Sequence, residues 1–193
     1  MLGRGILFVV SGPSGVGKGT IRENLMVTGI DLVYSISATT RKPRAGEVDG
    51  RDYFFIEESR FESMIQNGEL LEWARVYTNY YGTPRDFVMQ NLDAGKDVLL
   101  EIDMQGALQV KSAFPEGVFI FIKPPCREAL AERLRTRGKD AEEEIARRLG
   151  EFDQEMQYIV HYDYVVVNDE LESAVSQVRA IICAEHLRIG RHS

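Results

Sequence analysis

The sequence has only two cysteines, no apolar run long enough to cross a membrane, and fewer basic than acidic residues. Cys126 and Cys183 are far apart and lack the spacing of metal ligands, so we expect reduced thiols and a cytoplasmic location. The apolar run Ile6–Val10 is too short for a membrane span or a signal peptide. A net charge of −7 argues against general nucleic-acid binding, because phosphate backbones are bound mainly by excess Lys and Arg. We therefore expect neither a membrane nor a nucleic acid as a partner.

The short apolar runs alternate with amphipathic stretches, the pattern of a mostly parallel sheet covered by helices. They predict core strands at Ile6–Val10, Leu32–Ile36, Val98–Glu101, Val118–Ile122 and Tyr164–Val167. Helices are predicted at Lys18–Val27, Gln105–Ala113, Arg127–Thr136 and Leu171–Leu187, the last with Asn168 or Asp169 as its N-cap. The 193 residues fit one α/β domain that covers residues 1–193.

Two regions break this alternation. Residues 37–85 are rich in Arg, Gly, Tyr and Thr, with a short helical piece at Arg60–Gln66, and they predict an inserted subdomain rather than more sheet. Residues 137–158 are highly charged and helical, a composition that by itself is typical of a solvated surface.

The strongest single pattern is G-P-S-G-V-G-K-G-T, which lies between a predicted strand and a predicted helix. Gly12, Gly17 and Lys18 supply the phosphate-loop spacing of Gly, four residues and Gly-Lys. Glycines let backbone N–H groups surround phosphate oxygens, and the N-terminus of the helix adds a positive dipole end. The residues expected to bind a nucleoside triphosphate are Gly12, Pro13, Ser14, Gly15, Val16, Gly17, Lys18, Gly19 and Thr20.

The loop departs from the usual motif at one position. Gly19 stands where a hydroxyl residue normally follows the lysine and joins the magnesium site. Thr20 offers a hydroxyl one position later, so we expect Thr20 to contribute to that site.

A phosphate loop alone does not distinguish a GTPase, an ATPase and a small-molecule kinase. The N-K-x-D stretch expected of a guanine-reading GTPase is absent. The region from residue 37 to residue 83 instead contains arginines and tyrosines suited to a doubly charged phosphate group, since arginine forks bind phosphate through two charge-assisted bonds. These residues are Arg41, Arg44, Tyr53 and Tyr81.

The same region contains Glu72, a carboxylate suited to guanine. The Watson–Crick edge of guanine carries two neighbouring donors, N1–H and the exocyclic amine, and one carboxylate can accept both. Adenine would present an unprotonated N1 instead, leaving a buried carboxylate unpaired. Ser37 and Thr83 could complete the contacts to the base, so the set predicts a GMP pocket.

Taken together, these motifs resemble the guanylate kinase family. The shared stretches are the phosphate loop, S-x-T-T-R-x-P-R-x-G-E…G-x-D-Y, E-W-A, N-Y-Y-G, I-D-M-Q-G, the R-L…R-G…R-R-L series and V-N-D, and they cover nearly the whole chain. The resemblance implies a P-loop three-layer fold with a central, mostly parallel sheet and three parts. These are a core with the ATP site (1–36, 86–125 and 159–193), a GMP-binding subdomain (37–85) and a helical lid region (126–158).

The resemblance also assigns roles to single residues. Ser37, Glu72 and Thr83 would contact guanine, and Glu101 would lie near the same base. Arg41, Arg44, Tyr53 and Tyr81 would hold the GMP phosphate. Asn168 would lie near the adenine ring of ATP.

The implied reaction is ATP plus GMP to ADP plus GDP, with Mg²⁺ as cofactor. It needs mobile cations around the transferring phosphoryl group, and Lys18, Arg133, Arg137 and Arg148 match those of the family. Asp103, at the end of V-L-L-E-I-D, is expected to help organise the magnesium ion and its waters.

Histidine chemistry is not expected. The three histidines, His161, His186 and His192, lie late in the sequence and form no recognisable catalytic set. A phosphate monoester has a second pKa of about 6, so the phosphate of GMP is already largely an anionic nucleophile at neutral pH. No general base is therefore required.

Two alternatives stay open at this point. One is a kinase on the same scaffold with another acceptor; the other is a non-catalytic guanylate-kinase-like module that binds protein partners. The intact Gly17 and Lys18 weigh against the module, and the complete acceptor set weighs against another acceptor. The sequence leaves the oligomeric state open, as well as the use of dGMP.

Overall fold

The computed structural model describes residues 3–76, 78–136 and 142–191, and within these it contains nine strands, seven α-helices and one 3-10 helix. The strands are β1 (Leu7–Ser11), β2 (Leu32–Tyr34), β3 (Ala38–Thr39), β4 (Phe54–Phe55), β5 (Leu70–Val76), β6 (Asn79–Pro84), β7 (Asp97–Glu101), β8 (Val118–Lys123) and β9 (Tyr164–Val167). The helices are α1 (Lys18–Met26), α2 (Glu58–Gln66), α3 (Arg85–Asp93), α4 (Met104–Ala113), α5 (Arg127–Thr136), α6 (Glu142–Glu155) and α7 (Leu171–His186), and the 3-10 helix is Met156–His161.

The larger sheet has five strands in the order β2-β7-β1-β8-β9. The pairings of β2 with β7, β1 with β8, and β8 with β9 are all parallel. Every residue of β1 is buried, because both faces of such a sheet are covered by other elements. The expected α/β fold with a central, mostly parallel sheet is therefore confirmed.

The predicted elements agree with the structure to within two residues at each end. The strand predicted at Ile6–Val10 is Leu7–Ser11, and the short helical piece predicted at Arg60–Gln66 is Glu58–Gln66. One detail of the prediction is wrong. Helix α7 begins after Glu170, which occupies the N-cap position without a side-chain capping bond, so neither Asn168 nor Asp169 caps it.

A second sheet, which the sequence did not predict, lies within residues 37–85. Its four strands have the order β4-β3-β6-β5, and the pairs β3–β6 and β5–β6 are antiparallel. Helix α2 packs on it through Phe61 and Met64, which join Ala38 and Leu70 in a buried cluster. The Tyr80 ring stacks on Phe61 with 5.2 Å between centroids. This region thus has a small buried cluster of its own.

The chain falls into two compact units. The first contains the four-stranded sheet, α2, α3, β2 and most of β7 and α4. The second contains most of β1, α1, β8, β9 and helices α5 to α7. No helix of the described residues has the length and apolarity needed to cross a membrane. Cys126 and Cys183 are exposed thiols without a disulfide.

Removal of the Phe61 ring should destabilise the first unit, because Phe61 is fully buried at the centre of its small core. We expect Phe61→Ala to lower the free energy of unfolding by about 3–5 kcal/mol, measured by urea denaturation followed by fluorescence. Val48→Ala is the control, since Val48 is 48% exposed, and its effect should stay below about 0.5 kcal/mol. Equal effects of the two substitutions would contradict this description of the core.

Candidate nucleotide-binding site

The turn from β1 into α1 requires glycine at two positions. Gly12 has a φ of +146°, and a Cβ there would lie 2.1 Å from the carbonyl oxygen of Ile122 on β8. Gly17 has a φ of +96°, a conformation that other residues rarely adopt. These two glycines therefore let the predicted phosphate loop turn closely between the sheet and the N-terminus of α1.

Lys18 is the first residue of α1, and its side chain folds back over the loop. Its Nζ donates hydrogen bonds to the carbonyl oxygens of Gly12 at 2.6 Å and Pro13 at 3.0 Å. Burial lowers the pKa of Lys18, while the carboxylates of Glu101, Glu155 and Asp103 act in the opposite direction. An anionic ligand in the loop would stabilise this ammonium group as these carboxylates do.

Glu101, predicted near guanine, is the last residue of β7 and lies beside the loop. Its carboxylate is 3.3 Å from Nε of Arg22 and would be 3.5 Å from a Cβ at Gly19. Burial raises the pKa of Glu101, and the charges of Arg22 and Lys18 oppose that rise. A contact with guanine stays a prediction.

The residues near the loop are compatible with a magnesium ion that is held mainly by phosphates and waters. Thr20 and Asp103 are both exposed to solvent. Among the residues that the structure describes, no group of three or more His, Cys, Asp and Glu is placed to hold a metal. Mg²⁺ in kinase sites is typically bound by one or two carboxylates together with substrate phosphates, so the donor set fits.

Two of the three predicted lid arginines contact the loop or its neighbourhood, and the third, Arg137, lies outside the described residues. Nη1 of Arg148, on α6, donates to Oγ of Ser14 in the loop at 3.0 Å. Arg133, on α5, donates to the backbone carbonyls of Asn168 at 2.7 Å and Asp169 at 2.9 Å. Arg133 and Arg148 therefore belong to the same compact unit as Lys18.

A cavity of about 260 Å³ borders the loop. It is lined by Gly15, Val16, Gly17, Thr20, Arg133, Asn168, Asp169 and Leu171, most of which the sequence had predicted to bind ATP. A larger cavity of about 480 Å³ lies between β9 and the end of α7 and contains none of the predicted site residues.

Two of the three residues predicted to contact guanine, Glu72 and Thr83, lie opposite each other in the four-stranded sheet, and the third, Ser37, directly precedes β3. Glu72 on β5 is paired in register with Thr83 on β6, and Oγ1 of Thr83 donates to Oε1 of Glu72 at 2.7 Å. The pair Ala38–Gly82 places Ser37 next to Thr83 in the same register. Side chains at directly opposed positions share a face, so Glu72 and Thr83 lie on one face of the sheet. Glu72 and Thr83 are only 6% and 1% exposed.

The residues predicted to hold a phosphate group gather around Arg41. Its guanidinium lies 5.4 Å from the ring centre of Tyr53, and that ring is 6.1 Å from the ring of Tyr81. Tyr81 is two residues from Thr83 on β6, so it is on the same face of the sheet as Glu72 and Thr83, about 7 Å along the strand. The fold therefore brings Arg41, Tyr53 and Tyr81, which were predicted from the sequence, close to one another.

Glu47 was missed as part of this group, although it ends the R-x-P-R-x-G-E motif. Its two carboxylate oxygens accept from Nη2 and Nη1 of Arg41 at 2.9 Å and 3.0 Å, and one also accepts from the backbone N–H of Arg44 at 2.7 Å. The hydrogen bond from Arg41 lowers the pKa of Glu47. Glu47 thus fixes the direction of the Arg41 fork and holds the Arg44 backbone beside it.

Tyr162, a residue near the phosphate loop, was not singled out from the sequence, because a tyrosine before a strand resembles an ordinary core aromatic. Its ring meets Phe121 edge-on at 5.0 Å. Burial raises its pKa to about 12, although the Ser11 hydroxyl acts in the opposite direction, and the charge of Asp103 adds to the rise. Tyr162 therefore lies under the start of the loop as a neutral phenol.

The parallel sheet, the glycine turn and the lysine at the start of α1 define a nucleotide-binding protein of the phosphate-loop class. The sequence model described as guanylate kinase matches residues 4–185. A guanylate kinase of Caldanaerobacter subterraneus subsp. tengcongensis is 56% identical over 98% of this chain and 92% of that protein, and one of Lactococcus lactis is 54% identical over 97% and 92%. The crystal structure of guanylate kinase from Anaplasma phagocytophilum superposes with a TM-score of 0.78 at 34% identity, covering 98% of this chain and 90% of that one. This chain belongs to the guanylate kinase family.

The pKa of Tyr162 predicts a loss of stability at high pH. The phenol ionises near 10 in the unfolded chain and near 12 in the folded one, so between these values the folded state binds more protons. The free energy of unfolding should therefore fall between about pH 10 and 12, by at most about 1.4 kcal/mol per pH unit for this single group.

Tyr162→Phe should remove that part of the loss. The measurement is urea unfolding of both proteins at pH 8, 10 and 11, with tyrosinate absorbance as an independent readout. A constant difference between the two proteins across this range would contradict the assignment.

Proposed function

We propose that this protein transfers the γ-phosphate of ATP to GMP, giving ADP and GDP. The observation that carries the choice of acceptor is the buried carboxylate of Glu72, paired across the sheet with Thr83. Guanine presents N1–H and its amine as two adjacent donors to such a carboxylate. Adenine has a lone pair at N1 and would leave the buried group without a donor, at a cost of several-fold or more in binding.

The phosphate of GMP is bound, in this proposal, by Arg41, Arg44, Tyr53 and Tyr81. Arg41 is held in place by Glu47 before the substrate arrives, so little ordering is required of its fork. The bound phosphate is its own nucleophile and needs no general base. dGMP offers the same base and phosphate, and we propose it as a second acceptor.

ATP is bound by the loop from Gly12 to Thr20, whose backbone N–H groups and Lys18 meet the phosphates. Arg133, Arg137 and Arg148 supply further positive charge to the transferring group. We assign the ATP site to the core (1–36, 86–125 and 159–193), the GMP site to residues 37–85 and the lid to residues 126–158.

The cofactor in this proposal is Mg²⁺, which Thr20 and Asp103 would help to hold, partly through water. When bound, the ion would supply positive charge that offsets the negative charge of the triphosphate. The protein residues orient the triphosphate around it. We place the reaction in the cytoplasm, where both nucleotides are available and exposed thiols such as Cys126 and Cys183 stay reduced.

The first experiment is a coupled assay for ADP, run with ATP and each nucleoside monophosphate in turn. We expect turnover with GMP and little with AMP, CMP, UMP or dTMP. Turnover with another acceptor would indicate a related kinase, and no turnover with any acceptor would indicate a non-catalytic binding module.

Lys18→Met should leave a folded protein that has lost most phosphoryl transfer, because the ammonium group next to the loop is removed. We expect kcat to fall by about 100-fold or more, with an unchanged circular dichroism spectrum. Lys96→Met is the matched control, since Lys96 is exposed, and it should keep normal turnover. Nearly unchanged turnover of Lys18→Met would contradict the assignment of the loop as the site of the ATP phosphates.

Glu72→Gln should weaken the preference for GMP over AMP, because the amide replaces one acceptor by a donor that faces the donors of guanine. We expect kcat/KM for GMP to fall by about 10- to 100-fold and KM for ATP to stay the same. Glu69→Gln is the matched control, because Glu69 is only half-buried and pairs with Arg60 away from the Glu72–Thr83 pair. If Glu72→Gln kept full discrimination, the contact with guanine would have to be assigned elsewhere.

A further inference from the structure

Asn168 directly follows β9 and is only 6% exposed. Its side-chain Nδ2 donates a hydrogen bond of 2.7 Å to the backbone carbonyl of Val16, inside the phosphate loop. A buried amide with such a partner is costly to disrupt, because the freed carbonyl belongs to Val16, which is 0% exposed, and would lose this hydrogen bond where water reaches poorly. The side chain thus contacts the loop itself.

The contact is tight at the next residue as well. A Cβ at Gly17 would come within 2.6 Å of Nδ2 of Asn168, so the amide packs directly on the backbone between Val16 and Lys18. A phosphate loop needs its N–H groups directed toward the anion and its carbonyls directed away. The Asn168 amide holds the Val16 carbonyl in a hydrogen bond that prevents it from turning toward a bound phosphate.

Arg133 holds the backbone of Asn168, whereas the contact with Val16 is made by the side chain. Its two terminal nitrogens donate to the backbone carbonyls of Asn168 at 2.7 Å and Asp169 at 2.9 Å. An arginine fork on two consecutive carbonyls sets both the position and the direction of that backbone. The contacts therefore run without a break from α5 through Asn168 to the loop.

We propose that Asn168 is a positioning residue for the triphosphate, which acts by holding the Val16 carbonyl while Arg133 holds Asn168. This rests on the proposed function of the loop as the ATP site. Its consequence is that loss of the amide weakens binding through the phosphates, whatever base is attached to them. A residue that contacts adenine would instead affect ATP and leave a base-free triphosphate unchanged.

The test uses Asn168→Asp, which keeps the shape and replaces the donor by an acceptor facing the Val16 carbonyl. Asn168→Leu removes the donor without adding charge, and it separates this effect from direct repulsion of phosphate. The affinities of ATP, GTP and inorganic tripolyphosphate are measured with Mg²⁺ by calorimetry on each intact variant. Asn91→Asp is the matched control, because Nδ2 of Asn91 makes a similar 2.8 Å bond to the carbonyl of Phe87 on α3.

We expect both Asn168 variants to weaken all three ligands by the same factor, about 10-fold or more. KM for ATP should rise while KM for GMP stays unchanged, and the Asn91 control should bind tripolyphosphate normally. Weaker ATP binding with normal tripolyphosphate binding would overturn the proposal in favour of a contact with adenine, and so would normal binding of all three ligands.

The two proposals can fail separately. Turnover of the unmodified protein with GMP is measured first, and its absence would count against the proposed function alone. Thermal unfolding of each variant identifies any loss of fold, and if Asn168→Asp does not fold, the uncharged Asn168→Leu supplies the same comparison of ligands.

Discussion

Close packing of backbone at Gly12 is the constraint on which the phosphate-binding unit depends. The end of β1 approaches the carbonyl of Ile122 on β8 so nearly that no side chain fits between them. The chain must therefore leave the sheet in a turn that only glycine allows, and α1 begins six residues later with Lys18. The loop, the lysine and the positive end of the helix are placed together by this single turn.

The proposed GMP site depends on a different constraint, the register of the small four-stranded sheet. The pairing of β5 with β6 shifts between Leu70 and Glu72, so Leu70, Leu71 and Glu72 are all buried although they are consecutive. An irregularity of this kind is a common way to direct a side chain at the edge of a functional site. It places the Glu72 carboxylate inward, beside the Thr83 hydroxyl.

Each of the two units contains an arginine that is paired with a carboxylate, although the protein as a whole is acidic. Arg41 is paired with Glu47, and Arg22 with Glu101, so an arginine in each unit already has a carboxylate partner. Such pairs orient the cations and lower the cost of burying them before a substrate binds. The net charge of −7 is thus compatible with two local sites for anions.

The sequence by itself determined the five core strands, most helices and the phosphate loop, because each depends on local periodicity or on residues at fixed spacing, and it predicted a guanine-contacting set, two members of which, Glu72 and Thr83, form a hydrogen bond. It did not determine the second sheet, since strands of two residues such as β3 and β4 are too short to show a period. It offered Asn168 as a helix cap, which is wrong, and as a residue near the adenine ring, which stays a prediction. Only the tertiary structure decided that this side chain bonds to Val16, 152 residues away, and that Glu47 holds Arg41, because a hydrogen-bond partner is selected by distance in space and not by position along the chain.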